Sequence, residues 1–223
     1  MDEQIIIALM AVGVIILIAF PVHEFSHAWA AYRLGDSTAR YQGRLTLDPR
    51  AHFDPMGGIV LIVSALFFRF PIGWARPTPV NPYNLRFGRR GEVLVAAAGP
   101  VSNLVMAAAV AIPVRLLWAD AALLGTLLDS LPLALLFNVA WFFVFINVVL
   151  FVFNLLPIPP LDGWKVLTGL VDARMAHTLR QVEPYGLLLL IGVILIAGSP
   201  LFSLMLNVVL FFVGGARMIP LPL

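Results

Sequence analysis

An unbroken run of apolar residues and glycine, Ile5 to Phe20, constrains this chain more than any other feature of the sequence. A run of this length predicts a helix that lies in a lipid bilayer. The run leads into the motif His23-Glu24-Phe25-Ser26-His27, so we expect one helix to continue through it, over about residues 4–34. At 1.5 Å per residue the motif lies about 27 Å beyond Ile5, toward the far side of the membrane.

The motif has the HExxH pattern of zinc-binding helices. His23 and His27 are four residues apart and share one helical face, so both can offer an imidazole nitrogen to a single metal ion. Glu24 is placed to act as general base on a water molecule at the metal. Ionisable side chains on a bilayer helix are costly and mark a functional site that faces the protein interior. The competing interpretation is a chance match, with both histidines packed as ordinary polar residues.

Composition predicts the broad class of protein. Of the 223 residues, 61% are hydrophobic and only 12% are charged, and the mean hydropathy is +0.97. These values predict a polytopic membrane protein that lies in the lipid bilayer as a single domain. We expect no secretory signal, because the first apolar run is too long and no basic region precedes it. The chain lacks both cysteine and nucleic-acid motifs, so histidine and carboxylate must hold any zinc, and no nucleic-acid partner is expected.

The basic residues indicate how the chain crosses the membrane. Residues 57–70 are apolar but too short for a comfortable spanning helix. If they turn back, every basic residue except Arg115 lies on the same face of the membrane. The positive-inside rule therefore favours a re-entrant or β-hairpin-like element, with the N-terminus outside and the basic face cytoplasmic. Such an element would suit substrate docking by strand addition; the alternative is a short, tilted sixth span.

Two further helices are expected to complete a three-helix core. The first, over about residues 92–118, carries the small residues of the stretch 96–100, which let helix backbones approach closely. Asn103 on this helix is either a hydrogen-bond partner between helices or a site residue. The other helix, over about 133–156, ends in a stretch whose prolines hold the chain extended.

A metal site with two imidazoles needs a third ligand, because catalytic zinc typically keeps three protein ligands and one open position. Asp162 is the carboxylate best placed to supply it, after the prolines and before Gly163. The alternative is that Asp162 caps a helix over 164–172. His52 is a conceivable nitrogen ligand, but nothing in its spacing fixes it relative to the first helix, and we expect it beside the site.

The expected architecture is an all-α polytopic membrane protein with five to six transmembrane helices around the three-helix catalytic core. Residues 1–223 form one domain, with the core over about 4–170. A C-terminal helical hairpin follows over about 183–217, with a tight turn at Ser199-Pro200. Pro21 either kinks the first helix or is a tolerated transmembrane proline.

Taken together, the motifs resemble those of the site-2 protease family, zinc metalloproteases that cleave within membranes. The resemblance rests on HEFSH at 23–27, AGPVSN at 98–103 and NLLPIPPLDG at 154–163, which occur in the family's order. The stretches GRLTLDP at 43–49 and GWARPTPVNP at 73–82 resemble the compact branch without PDZ or CBS domains.

The resemblance implies one zinc ion per chain, with His23, His27 and Asp162 as its ligands and Glu24 as the base. The implied reaction is hydrolysis of peptide bonds in or near transmembrane segments of other membrane proteins. The family's fold places the zinc toward the cytosolic side, in agreement with the position of the motif. A prokaryotic plasma (inner) membrane is the expected location.

The resemblance also implies roles for three further residues. Asn154 would hold substrate backbone or the developing oxyanion, Pro160 would shape the loop before Asp162, and Asn103 would support the site. Two other function classes remain open. A secondary transporter would also have broken helices and intramembrane charge, but it would not require HExxH, and its hydropathy should repeat between halves. A catalytically silent scaffold or binding protein would have little need for a base together with three ligands.

Overall fold

A computed structural model of the chain describes residues 3–68, 73–120, 125–126 and 129–213. These residues form helices and no strands, which confirms the predicted all-α class. The helices are, in chain order, α1 (Glu3–Val14), α2 (Phe20–Arg33), α3 (Thr38–Tyr41), α4 (Pro49–His52), α5 (Pro55–Phe68), α6 (Arg89–Ala119), α7 (Leu131–Asn154), α8 (Asp162–Leu170), α9 (Ala173–Arg180) and α10 (Gly186–Val213).

The helices α1 and α2 follow one another without a break, which confirms the helix predicted over about 4–34. A π-helical turn, Ile15–Ala19, joins them, and the N–H of Phe20 donates to the carbonyl of Ile15 five residues earlier. Pro21 comes next and has no N–H to continue the regular pattern. The distortion at Pro21 thus takes the form of a widened turn just before the two histidines, a common location for π turns.

The central element of the fold is α6, which packs against α2, α7, α8 and α10. Small side chains make this possible: Ala107 and Ala111 are fully buried where α6 meets Val144 and Val148 of α7. In a membrane protein, helices associate largely through such close packing of small residues. The predicted helices over 92–118 and 133–156 correspond to α6 and α7, so these predictions are confirmed.

The short apolar element before the proline-rich stretch is helical. Its helix, α5, has 14 residues, which corresponds to about 21 Å and is shorter than the hydrocarbon layer. The prediction of a β-hairpin-like form is therefore wrong over residues 57–68; residues 69 and 70 lie outside the described part. A helix satisfies its own backbone hydrogen bonds, whereas a hairpin at membrane depth exposes its edges.

The C-terminal part forms one helix, and the predicted hairpin over 183–217 is wrong for its described residues. Gly186–Val213 is continuous and contains Pro200. One proline removes a single backbone hydrogen bond, a loss that membrane helices tolerate, so Ser199-Pro200 does not form a turn. Residues 214–217 of that prediction lie outside the described residues.

The described residues include four helices that are long and apolar enough to cross a membrane. They confirm the prediction of a polytopic membrane protein, whereas the number of five to six spans stays a prediction. The four candidate spans are Leu9–Arg33, Arg89–Leu117, Pro132–Asn154 and Ala173–Val213.

Asp36, just beyond α2, joins the end of this helix to the chain after α5. It is fully buried and accepts hydrogen bonds from Thr38 N–H, Thr38 Oγ1, Asn81 N–H and Asn84 Nδ2. Burial raises the pKa of the Asp36 carboxyl, but these donors outweigh burial and hold the pKa below its ordinary value. A group of this kind stabilises the fold above its unfolded-state pKa, and the gain is lost as the pH falls through the lower folded-state pKa.

We expect Asp36→Asn to lower the thermal stability of the protein in detergent at neutral pH. The substitution replaces one carboxylate oxygen, an acceptor, with an NH₂ group, which is a donor and then faces the groups that donated to the carboxylate. We expect this to lower the free energy of unfolding by about 1–3 kcal/mol. The difference in Tm from the unmodified protein should narrow as the pH is lowered toward the folded-state pKa. The control is Asp129→Asn, a change at an exposed aspartate, which should leave Tm unchanged. If Asp36→Asn has the same Tm as the unmodified protein at neutral pH, the prediction is contradicted.

Candidate metal centre

The structure brings together His23 and His27 of α2 with Asp162, the first residue of α8. The Nε2 atoms of the two histidines are 3.1 Å apart, and each lies 3.1 Å from Oδ2 of Asp162. All three side chains are buried, and their ligand atoms could hold one metal ion. These are the three residues that the resemblance implied as zinc ligands.

The second nitrogen of each imidazole has a partner on α6. Nδ1 of His27 lies 2.7 Å from the carbonyl oxygen of Val95, which can only accept, so this nitrogen carries the proton. Nδ1 of His23 lies 2.6 Å from Oδ1 of Asn103, whose amide nitrogen donates to Oδ1 of Asn147 at 2.9 Å. Both histidines therefore present an Nε2 lone pair to the centre of the group, the orientation that metal-bound histidines need.

Three acceptors that lie 3.1 Å apart repel one another unless a cation lies between them. Zinc bonds of 2.0–2.2 Å at the tetrahedral angle place ligand atoms about 3.3 Å apart. The separations in the structure are close to this value, and two imidazoles with one carboxylate are a donor set typical of catalytic zinc. The residues therefore fit a zinc ion that keeps one coordination position open.

Gly99 of α6 provides the space for the two imidazole rings. A Cβ at this position would overlap Nε2 of His27 and lie 2.7 Å from Cε1 of His23, inside the 3.0 Å that Cβ atoms keep. Glycine thus lets α6 lie directly against the histidines, and Asn103 follows it four residues later. This close approach explains why a glycine occurs in the AGPVSN stretch.

Asp162 reaches the histidines through the proline-rich turn after α7. Its carboxylate faces the imidazoles, and α8 begins after Leu161 without a side-chain cap, so the alternative of Asp162 as a helix cap is wrong. The peptide bond between Pro159 and Pro160 is cis in this turn. A Cβ at Gly163 would overlap the carbonyl oxygen of Leu155, so this tight turn requires glycine.

Glu24 lies next to the group on α2 but does not join it. Its half-buried carboxylate accepts a hydrogen bond from the N–H of Thr78 at 2.8 Å, and its backbone carbonyl accepts one from the Thr78 hydroxyl at 2.9 Å. The role of Glu24 as a base stays a prediction, but the side chain is accessible to water and adjacent in sequence to a ligand.

The other residues named from the sequence have different contacts in the structure. Asn103 combines both predicted possibilities, because it bridges helices and contacts His23. His52 bonds to the carbonyl of Thr46 and is not part of the group, so the conceivable role as a third nitrogen ligand is not realised, in line with the expectation that His52 is not a ligand. Asn154 donates to the carbonyl of Leu150 in its own helix. A role for Asn154 at the oxyanion, and for Pro160 in shaping the loop, stays a prediction.

Sequence reasoning missed several partners of the site. Asn147 is a polar residue inside an apolar helix, and the cost of burying it there could have marked it. The carbonyl of Val95 leaves no trace in the sequence, because every residue has one. Lys165 places its ammonium 3.4 Å from Oδ1 of Asp162; its position one turn along α8 was a usable signal. Thr78 was hidden between two prolines of an irregular segment.

We expect Gly99→Ala to abolish tight zinc binding, because the added methyl group displaces at least one imidazole ring. Disturbing the orientation of a metal ligand typically lowers metal affinity at least about tenfold, so zinc affinity should fall by at least this factor. Zinc affinity of the purified protein can be measured by competition with a chromophoric chelator. The matched control is Gly192→Ala, where a Cβ meets no atom within 4 Å; unchanged zinc affinity in Gly99→Ala would contradict the geometry.

Asn103→Leu tests the partner of His23 in the same assay. Without the amide oxygen the imidazole loses its orientation and its Nδ1–H is left unpaired, so zinc affinity should fall about 10- to 100-fold. Asn138→Leu is the control, because Asn138 lies in α7 and, among the described residues, its side chain bonds to the backbone of its own helix. Equal affinities for the two variants would show that Asn103 does not support the site.

Comparison with known proteins agrees with this geometry. Residues 125–199 match the model of peptidase family M50. The chain is 41% identical over 175 residues to "Putative zinc metalloprotease YwhC" of Bacillus subtilis, which covers 77% of this chain and 74% of that protein. It is 31% identical over 187 residues to "Putative zinc metalloprotease Rip2" of Mycobacterium tuberculosis, and this alignment covers 78% of this chain and 62% of that protein. No solved structure matches the chain.

A second Rip2 protein, from Mycolicibacterium smegmatis, is 32% identical over 189 residues, covering 81% of this chain and 67% of that protein. Similarity of this extent to YwhC and Rip2, together with the match to the family model, confirms the resemblance stated from the motifs. The chain belongs to peptidase family M50, the site-2 proteases.

Proposed function

We propose that the protein is an intramembrane zinc metalloendopeptidase that hydrolyses peptide bonds in or near transmembrane segments of other membrane proteins. One observation carries the proposal: two imidazole nitrogens and a carboxylate oxygen converge at 3.1 Å inside a membrane protein, next to a glutamate. The names of the relatives, which describe zinc metalloproteases, support the same reaction class.

The residues divide the chemistry among themselves. A zinc ion bound to the three ligand atoms supplies Lewis-acid polarisation of a scissile carbonyl and acidifies a water molecule. Val95 and Asn103 hold the imidazoles of His27 and His23 with Nε2 directed inward. Glu24 takes the proton from the attacking water and later delivers it to the leaving amine. Its half-burial keeps the carboxylate in contact with water while the ligands themselves are shielded.

The substrate is expected to enter in an unwound form. A helix engages its own carbonyl groups in hydrogen bonds, so a transmembrane helix must open locally before one of them can be attacked. Segments weakened by glycine or proline open at the lowest cost. Asn154, at the end of α7 and close in sequence to Asp162, is the residue proposed to hold the opened backbone or the oxyanion.

The proposed location is a prokaryotic plasma membrane, with the N-terminus outside and the metal centre toward the cytosol. The supporting observation is the distribution of basic residues, which are depleted near the N-terminus and concentrated between the apolar segments that follow the histidines. Under the positive-inside rule these basic loops are cytoplasmic. The lipid bilayer is then a partner of the protein as well as the source of its substrates.

We expect Glu24→Gln to lower the cleavage rate about 100- to 10,000-fold while zinc binding stays intact, because only the proton acceptor is removed. Cleavage of a single-span test substrate with a glycine-weakened helix can be followed in proteoliposomes, with and without a chelator. The control is Glu92→Gln, which changes an ion pair with Arg180 at the surface and leaves the metal centre and Glu24 untouched. This variant should cleave at the rate of the unmodified protein.

Three outcomes separate the function classes. Chelator-sensitive cleavage that Glu24→Gln abolishes supports the peptidase. Tight zinc without cleavage would favour a scaffold, and no tight zinc would favour a transporter. If Glu24→Gln cleaves as fast as the unmodified protein, the proposed base is wrong. Natural substrates can then be sought by comparing membrane-protein fragments in cells that carry the intact protein or its Glu24→Gln form.

A further inference from the structure

The residues 73–81, between α5 and the 3₁₀ turn Pro82–Asn84, pass alongside α2 beside the metal centre. Within the described part of the chain, three backbone N–H groups attach this segment to its surroundings. Arg76 donates to the carbonyl of His52, Thr78 to the carboxylate of Glu24, and Asn81 to the carboxylate of Asp36. The contact at Glu24 is thus the middle of three, and fixed attachments lie on either side of it.

The contact between Thr78 and Glu24 is a double one. The N–H of Thr78 donates to Oε2 of Glu24 at 2.8 Å, and the Thr78 hydroxyl donates to the backbone carbonyl of Glu24 at 2.9 Å. The two residues are 54 positions apart in the chain. One threonine therefore contacts both the side chain and the main chain of the same glutamate, which fixes the carboxylate relative to its own helix.

The neighbouring prolines prepare Thr78 for this contact. Pro77 and Pro79 have no N–H, so Thr78 carries the sole backbone donor of this tripeptide. Proline also restricts the residue before it to extended conformations, so Arg76 and Thr78 are both held extended. The direction of the Thr78 N–H is thus settled by the local chain, and little conformational entropy is lost when it bonds to Glu24.

A general base must stay within hydrogen-bond reach of the proton that it accepts. A glutamate side chain has several rotatable bonds, and a half-buried one would sample many orientations. The bond to Thr78 occupies Oε2 and leaves Oε1 as the oxygen available to a water molecule. Even a small displacement of a catalytic group from its productive position lowers the rate of the reaction considerably.

We propose that Thr78 is a positioning residue for Glu24, which holds one carboxylate oxygen so that the other is available to the attacking water. This inference rests on the proposed function, because it assigns a purpose to the contact only if Glu24 is the base. It places part of the catalytic apparatus outside the HExxH helix, on the segment that follows α5. The metal ligands do not take part, so zinc binding is independent of Thr78.

Three substitutions of Thr78 separate its two hydrogen bonds. Thr78→Ser keeps both and should retain the kcat of the unmodified protein. Thr78→Val keeps the N–H and the shape of the side chain but loses the hydroxyl, so kcat should fall about two- to tenfold. Thr78→Pro loses the hydroxyl and also the N–H that bonds to the charged carboxylate, and kcat should fall about 10- to 100-fold. In Thr78→Val and Thr78→Pro, KM and zinc content should remain unchanged.

Two controls show whether the effect passes through Glu24. Ala75→Pro adds a proline to the same segment at a residue for which no N–H hydrogen bond is found in the described part of the chain, and it should retain kcat. Thr178→Val removes an exposed hydroxyl and should do the same. In the Glu24→Gln background, measured over long incubations, Thr78→Val should have no further effect, because the base that it positions is absent.

The outcomes distinguish this inference from the proposed function. If the unmodified protein shows no chelator-sensitive cleavage, the proposed function fails. If it cleaves and Glu24→Gln does not, but Thr78→Val and Thr78→Pro keep full kcat, only the positioning role is overturned. Loss of zinc in Thr78→Val would also overturn it. So would a Thr78→Val substitution that lowers kcat by the same factor in the Glu24→Gln background as in the unmodified protein. Should Thr78→Pro fail to fold, Thr78→Val and its rescue by Thr78→Ser decide the question.

Discussion

The structure depends on three hydrogen-bond acceptors that lie together in its interior. Nε2 of His23, Nε2 of His27 and a carboxylate oxygen of Asp162 are mutually 3.1 Å apart. Away from water such a group is unfavourable until a cation lies among its members. Both Nδ1 protons are already donated to oxygen atoms of α6, so a metal ion satisfies the group without disturbing either imidazole. The fold thus creates an interior site that favours positive charge, and the proposed zinc chemistry follows from that property.

The helix α6 makes this arrangement possible because it does two things along one face. At Gly99 it lacks a side chain, so its backbone approaches the imidazole rings, and the carbonyl of Val95 and the amide of Asn103 orient them from either side. Further along, Ala107 and Ala111 let it pack closely against α7. The same close packing brings Asn147 of α7 to Asn103. Small residues therefore serve both the association of helices in the membrane and the orientation of the metal ligands.

The parts that could be predicted from the sequence are those fixed by short-range rules. The four-residue spacing of His23 and His27 fixes their shared face on any helix, and the prolines before Asp162 fix the break that presents it. Predictions failed where several backbone paths satisfy the same pattern. Residues 57–70 were compatible with a helix or a hairpin, and over residues 57–68 the chain is helical because a helix satisfies its own backbone hydrogen bonds at membrane depth. Ser199-Pro200 has the composition of a turn, yet a membrane helix passes through it because one missing hydrogen bond costs less than exposing a loop.

Thr78 was missed for a different reason, and it bears on how a substrate can bind. Its neighbours are prolines, which indicate an irregular segment but not what that segment contacts. In the structure the N–H groups of Arg76 and Thr78 are engaged by His52 and Glu24, and Pro77 and Pro79 have none. No N–H therefore remains free from Arg76 to Pro79. Strand addition of a substrate was predicted for residues 57–70, which are helical as far as residue 68. On the segment 76–79 it would have to rely on the carbonyl groups of the segment and the N–H groups of the substrate. Substrate docking on this segment and positioning of Glu24 would then use different backbone groups, so both could occur at once.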